Sequence, residues 1–132
     1  MTHAAESPRP SGPLGACTWS LRTPEPTSTA DALNACGISS VQLALEPFRT
    51  GDWKLDDALL LFQDRNIHIV SGMMSMHAED YTTLESIHAT GGLRPTDAWP
   101  INCAATAQNA EIAERLSINL VTLRSEERRV GK

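Results

Sequence analysis

"SSVQLALEPFRTGDWKLDDALLLFQDRNIHIVSGMM" (residues 39–74) places two strand-like runs on either side of a helix-like one. The first, residues 39–47, is an apolar run closed by Pro47, a residue that ends strand pairing because it lacks an N–H. "FRTGDWK" reads as a loop, with Asp52 a candidate helix N-cap. In "LDDALLLFQDRN", Leu55, Ala58, Leu59 and Phe62 fall at i, i+3, i+4 and i+7, which predicts a helix with one buried face. Asn66 suits the stop. "IHIVSGMM" (67–74) is a second apolar run of strand length. Near-continuous apolar strands joined through a helix point to a parallel sheet with helical crossovers.

The same alternation extends outward. "LGACTWSL" (14–21) reads as an earlier buried strand. It is followed by prolines and a short helix, with Ser28 as N-cap, Asp31 three residues on and Gly37 as the stop. Residues 1–13, with three prolines, read as a disordered leader. Downstream, residues 75–100 form a long polar connection, with a short helix expected over 80–88. Connections of that length in compact domains are usually functional or disordered. An Ala-rich helix is expected over 101–116, its stripe made by Ile101, Ala105, Ile112 and Leu116 and its first turn tolerating Pro100. "INLVTL" (118–123) is the last strand. The order β-α-β-α-β-loop-α-β leaves two closures open: a small doubly wound sheet, or the first half of a (β/α)8 barrel, which takes about 250 residues in full.

Charge narrows the function. The 132-residue chain carries a net −5; residues 124–132 hold four basic and two acidic residues, so the other 123 hold seven basic and fourteen acidic, a net −7. No basic surface for nucleic acid and no polybasic membrane anchor is expected from that balance. No signal-peptide core and no apolar run near the ~18 residues of a membrane span occurs. Cys17, Cys36 and Cys103 are odd in number and widely spaced, which suits neither a disulfide framework nor a zinc site; they read as buried reduced thiols in a reducing compartment, the cytoplasm.

Either closure puts ligands at the C-terminal strand ends. Glu46 ends a strand there, and two readings stay open: a carboxylate facing a sugar hydroxyl or supporting a metal ligand, and a solvated residue paired with Arg49. Trp19 reads first as core and second as a platform for the C–H face of a sugar ring. His77, Glu79 and Asp80 read as a solvated capping cluster, because local spacing alone is a weak metal signal. His68 reads as a packed or outer-face strand residue. The phosphate-binding glycine motifs, the nucleophile elbow and the C-x-x-C pair are all absent from the sequence.

"LGACTWSL", "ISSVQLALEP" and the stretch from "SGMMSMHAEDYTTLESIHATGG" through "WP" to "INLVTL" together resemble the N-terminal half of the sugar phosphate isomerase/epimerase family, the xylose-isomerase-like TIM barrels. The resemblance covers residues 14–123 and is most specific at "EDYTTLESIHATGG". It implies an α/β fold, the N-terminal half of a (β/α)8 TIM barrel with about four parallel strands. It also implies proton transfer beside a carbonyl of a sugar or sugar phosphate, and a divalent metal (Mn, Mg, Zn or Co) in the full-length parent, for which homo-oligomers stay open. In that family the metal ligands and the acid and base come from strands five to eight. No catalytic or metal residue is therefore implied within residues 14–123, and only Trp19, Glu46 and Glu79 are implied as substrate-binding. The chain by itself is expected to be an inactive fragment that binds no metal tightly. Two other functions stay open: a non-catalytic sugar-binding module, and a metal-dependent DNA-repair endonuclease of the same superfold, which the net −7 disfavours.

Arg124 stands where the family commonly has a His. "RSEERRVGK" (124–132) translates one reading frame of a common sequencing adapter, AGA TCG GAA GAG CGT CGT GTA GGG AAA, so these residues are expected to be a non-native tail. A reading frame continuing naturally through them at the genomic locus would sink that expectation.

Overall fold

A computed structural model describes residues 13–124 of the chain. The expected leader, apart from Pro13, and the expected tail, apart from Arg124, lie outside the described residues. The elements run β1 (Gly15–Cys17), α1 (Thr18–Leu21), α2 (Pro26–Ala35), β2 (Ser40–Ala44), α3 (Glu46–Thr50), α4 (Leu55–Asp64), β3 (His68–Met73), α5 (Leu84–Thr90), α6 (Trp99–Arg115) and β4 (Val121–Thr122). The sheet is four-stranded, in the order β1-β2-β3-β4. Every pairing is parallel: Ala16 lies opposite Val41, Val41 opposite Ile69, and Met73 opposite Thr122. A bulge between Val41 and Gln42 passes over Val70, which is left half exposed.

The fold is α/β, with strands in the order of the first four of a (β/α)8 barrel. A doubly wound sheet of order 3-2-1-4 would put β4 beside β1; here β4 lies beside β3. One contiguous core joins the crossovers to the sheet. It contains Ala30 and Leu33 of α2, Ala58 and Phe62 of α4, Ala113 of α6, and Val41, Leu43 and Leu45 from β2 and its end. The stops at Gly37 and Asn66 hold, both with positive φ (68° and 53°). At Gly37 the chain closes α2 by Gly37 N–H donating to Asn34 O and Ile38 N–H to Leu33 O.

Several boundaries differ from the sequence reading, each for a local reason. The first strand ends at Cys17 rather than Leu21, because Thr18 Oγ1 accepts from Ala44 N–H at 2.9 Å and takes the place of a ladder carbonyl. The second strand gives way at Leu45 to α3, where a loop was expected; Pro47 sits in the first turn of α3, the part of a helix that tolerates it. Ser28 is not the N-cap of α2 but its third residue, reciprocating with Glu25 in a capping box. Asp52 does not cap α4; it accepts from Thr50 Oγ1 at 2.7 Å, and Lys54 holds the cap position.

The helix expected over 80–88 starts later, because Thr83 Oγ1 accepts from Ser86 N–H at 3.0 Å and caps α5. On α6 the buried face is Asn102, Ala105, Asn109 and Ala113, whereas Ile101 is half exposed. The cysteines are free but not buried: Cys36 and Cys103 are exposed and Cys17 is partly so. Cys36 caps the end of α2 and Cys103 sits on α6 beside, not on, the buried face.

Candidate functional site

With every strand parallel, the ends of β1, β2, β3 and β4 open on one side of the sheet. There a depression of about 280 Å³ is lined by Trp19, Met73, Met74, Ser75, Glu79, Tyr81 and Arg124. Trp19 reaches it from α1 rather than from a strand. It is 42% exposed, so its first reading as a core residue is overturned: ending β1 at Cys17 carries Trp19 out of the sheet.

Glu46 is the first residue of α3, not the last of a strand. Its Oε1 accepts from Arg49 Nη2 at 3.2 Å, so the pairing with Arg49 is present. Its Oε2 accepts from Ser75 Oγ at 2.5 Å. Ser75 lines the depression and Glu46 stands behind it. An i, i+3 ion pair this exposed contributes little stability; what it does is orient the carboxylate toward Ser75.

Glu79 lines the depression, but both its oxygens are taken by main chain: Oε2 by Met76 N–H at 3.0 Å and Oε1 by Gly92 N–H at 2.8 Å. It therefore ties the start of the β3–α5 connection to the start of the α5–α6 connection. Asn102 of α6 adds a third tie, its Oδ1 accepting from His77 N–H at 2.8 Å. Asp80 caps the turn before α5, accepting from Thr82 N–H at 2.9 Å. The Thr82 hydroxyl, and after it the Thr82 N–H, hold this carboxyl below the ordinary aspartate range. Tyr81 closes the outer rim, with the Arg124 guanidinium 4.9 Å from its ring centroid. Arg124 O accepts from Leu93 N–H at 3.1 Å, joining the end of β4 to the α5–α6 connection.

The structure thus brings Trp19 and Glu79 to one depression and places Glu46 one residue behind it. Ser75, Tyr81 and Asn102 escaped the sequence reading. Ser75 had one signal, its position just past an apolar strand. Asn102 and Asn109 had another, a seven-residue spacing that keeps both on one face of a helix.

The donor set does not fit a metal. Among the described residues no group of three or more His, Cys, Asp or Glu side chains is arranged to hold one. Of the nearest carboxylates, Glu79 accepts from a main-chain N–H at each oxygen and Glu46 is shared between Arg49 and Ser75. Among the described residues no helix is long and apolar enough to cross a membrane. Compared with known proteins, the chain matches no family model, no curated protein and no solved structure.

Proposed function

We propose that residues 14–123 form the substrate-side half of a cytoplasmic, metal-dependent isomerase or epimerase acting on a sugar or sugar phosphate. The divalent metal and the acid and base that move the carbon-bound proton would come from outside these residues. The observation that carries this reading is the convergence of an exposed Trp19, Ser75 backed by Glu46, and Tyr81 at the C-terminal end of a parallel sheet, where barrel enzymes bind their ligands. The metal's contribution in such a reaction is to polarise the oxygens beside the reacting carbon. No step passes through it here, because the side chains present do not form its site.

Within this reading, Trp19 stacks on the apolar face of the ring. Ser75 meets a ring hydroxyl. Met73 and Met74 keep water from the floor of the depression. The test begins by sequencing the locus past Leu123 and expressing the whole reading frame. Aldose–ketose interconversion or epimerisation that needs added divalent metal, with KM raised by Trp19→Ala, supports the proposal. Absence of turnover across aldoses, ketoses and their phosphates ends it.

A sugar-binding module without catalysis is the second reading. It needs nothing beyond the side chains that line the depression, Trp19, Ser75 and Tyr81, to hold a sugar. Saturable sugar binding without turnover by the whole protein would select it.

A further inference from the structure

We propose that Ser75, rather than Glu46, is the group that touches a bound ligand at this mouth, and that it does so as a hydrogen-bond acceptor for a ligand hydroxyl. Glu46 and Arg49 are then positioning residues behind it. The inference rests on the reading of the depression as a sugar site and adds which atom reads the sugar, and in which sense.

A serine hydroxyl has one proton and two lone pairs, and a carboxylate only accepts. The Ser75 Oγ–Glu46 Oε2 contact therefore uses the Ser75 proton. What Ser75 presents to the depression it lines is lone pairs alone. Arg49 Nη2 on the other carboxylate oxygen holds Glu46 in this arrangement. The second carboxylate at the mouth, Glu79, accepts from a main-chain N–H at each oxygen, which fixes it in place as a tie between connections. A ligand hydroxyl, which brings its own proton, is accommodated at Ser75. A carbonyl or ether oxygen at the same spot would face lone pairs with no proton between them and would be rejected.

Xylitol, which carries only hydroxyl oxygens, is the probe. The intact chain is followed by NMR at the Trp19 indole N–H and at the Ser75 side chain. A slowly exchanging Ser75 hydroxyl proton with a cross-peak to the Glu46 side chain is expected. It should disappear in Glu46→Gln while the amide positions of Met74 and Met76 stay in place, a signature that a merely structural role for Glu46 would not produce. Xylitol should shift the Trp19 signal, and Ser75→Ala should weaken its binding about fivefold, the worth of one ordinary hydrogen bond. Xylitol binding at Trp19 with an unchanged affinity in Ser75→Ala overturns this inference and leaves the sugar site standing. No shift at Trp19 or Ser75 at the highest soluble xylitol concentration overturns both.

Discussion

Leu45 lies directly over Gly72. A Cβ built on Gly72 would stand 2.9 Å from Leu45 Cδ1 and 3.1 Å from its Cγ, and Leu45 is fully buried. Leu45 is the residue at which β2 turns into α3, so the missing side chain at position 72 lets the mouth side of the sheet close. The strand cannot slide away, because Gly72 N–H donates to Leu120 O at 2.9 Å. Gly72→Ala is therefore expected to destabilise the fold by about 1–3 kcal/mol, the usual cost of overpacking. The urea midpoint measures it; an unchanged midpoint would show that Leu45 has room to move.

A second contact spans the sheet. Gln42 Nε2 donates to Thr122 Oγ1 at 3.2 Å, joining β2 to β4 across β3. β4 is only two residues long, so this bond adds appreciably to the main-chain bonds that hold it, Gly72 N–H to Leu120 O and Met74 N–H to Thr122 O. Thr122→Val keeps the shape and removes the acceptor, at a cost of about 1 kcal/mol. Amide exchange at Met74, whose N–H donates to Thr122 O, should then speed up by about fivefold. Equal exchange in both proteins would show the bond to be idle.

The Asp80 carboxyl gives a pH prediction. Its pKa is lowered below the ordinary 3.8, first by the Thr82 hydroxyl and then by the Thr82 N–H, with a small desolvation opposing them. A carboxyl lowered on folding stabilises the native state above its unfolded pKa and ceases to do so as pH falls through the folded one. The Asp80 turn should therefore stay ordered down through pH 3.8 and loosen only below it. Thr82→Val should raise the Asp80 midpoint toward 3.8 in a side-chain NMR titration. A wild-type midpoint at or above 3.8 would contradict the assigned cause.

The two sheet edges lead to a prediction about solution state. β1 and β4 each pair on one side only among the described residues, and Leu14 and Leu120 beside them are 64% and 57% exposed. Open parallel edges flanked by apolar side chains recruit further strands. Sedimentation velocity on the chain should show association that grows with concentration. A monomer that melts in one cooperative transition would count against an open arc of a barrel.

Much of the fold was legible because it is written in local patterns. The i, i+3, i+4, i+7 apolar spacing of α4, the stops at Gly37 and Asn66, and the apolar runs at 39–47 and 67–74 each depend on residues within a few positions of one another. They were enough to establish strand–helix alternation, and with it a parallel α/β sheet. The site was less legible. Trp19 and Glu46 were placed at strand ends because nothing local reveals that Thr18 Oγ1 would cap Ala44 N–H, or that Pro47 would open a helix instead of a loop.

Which strand lies beside β4 was a tertiary decision, because strand order depends on how whole crossovers pack, not on the spacing within any of them. The same holds for Asn102. Its residue type argues for solvent, yet it is fully buried because a main-chain N–H of the β3–α5 connection needed an acceptor there. Ser75 is the clearest case. By itself it is one more polar residue after a strand; only the arrival of Glu46 from 29 positions away commits its proton and gives it a direction at the mouth.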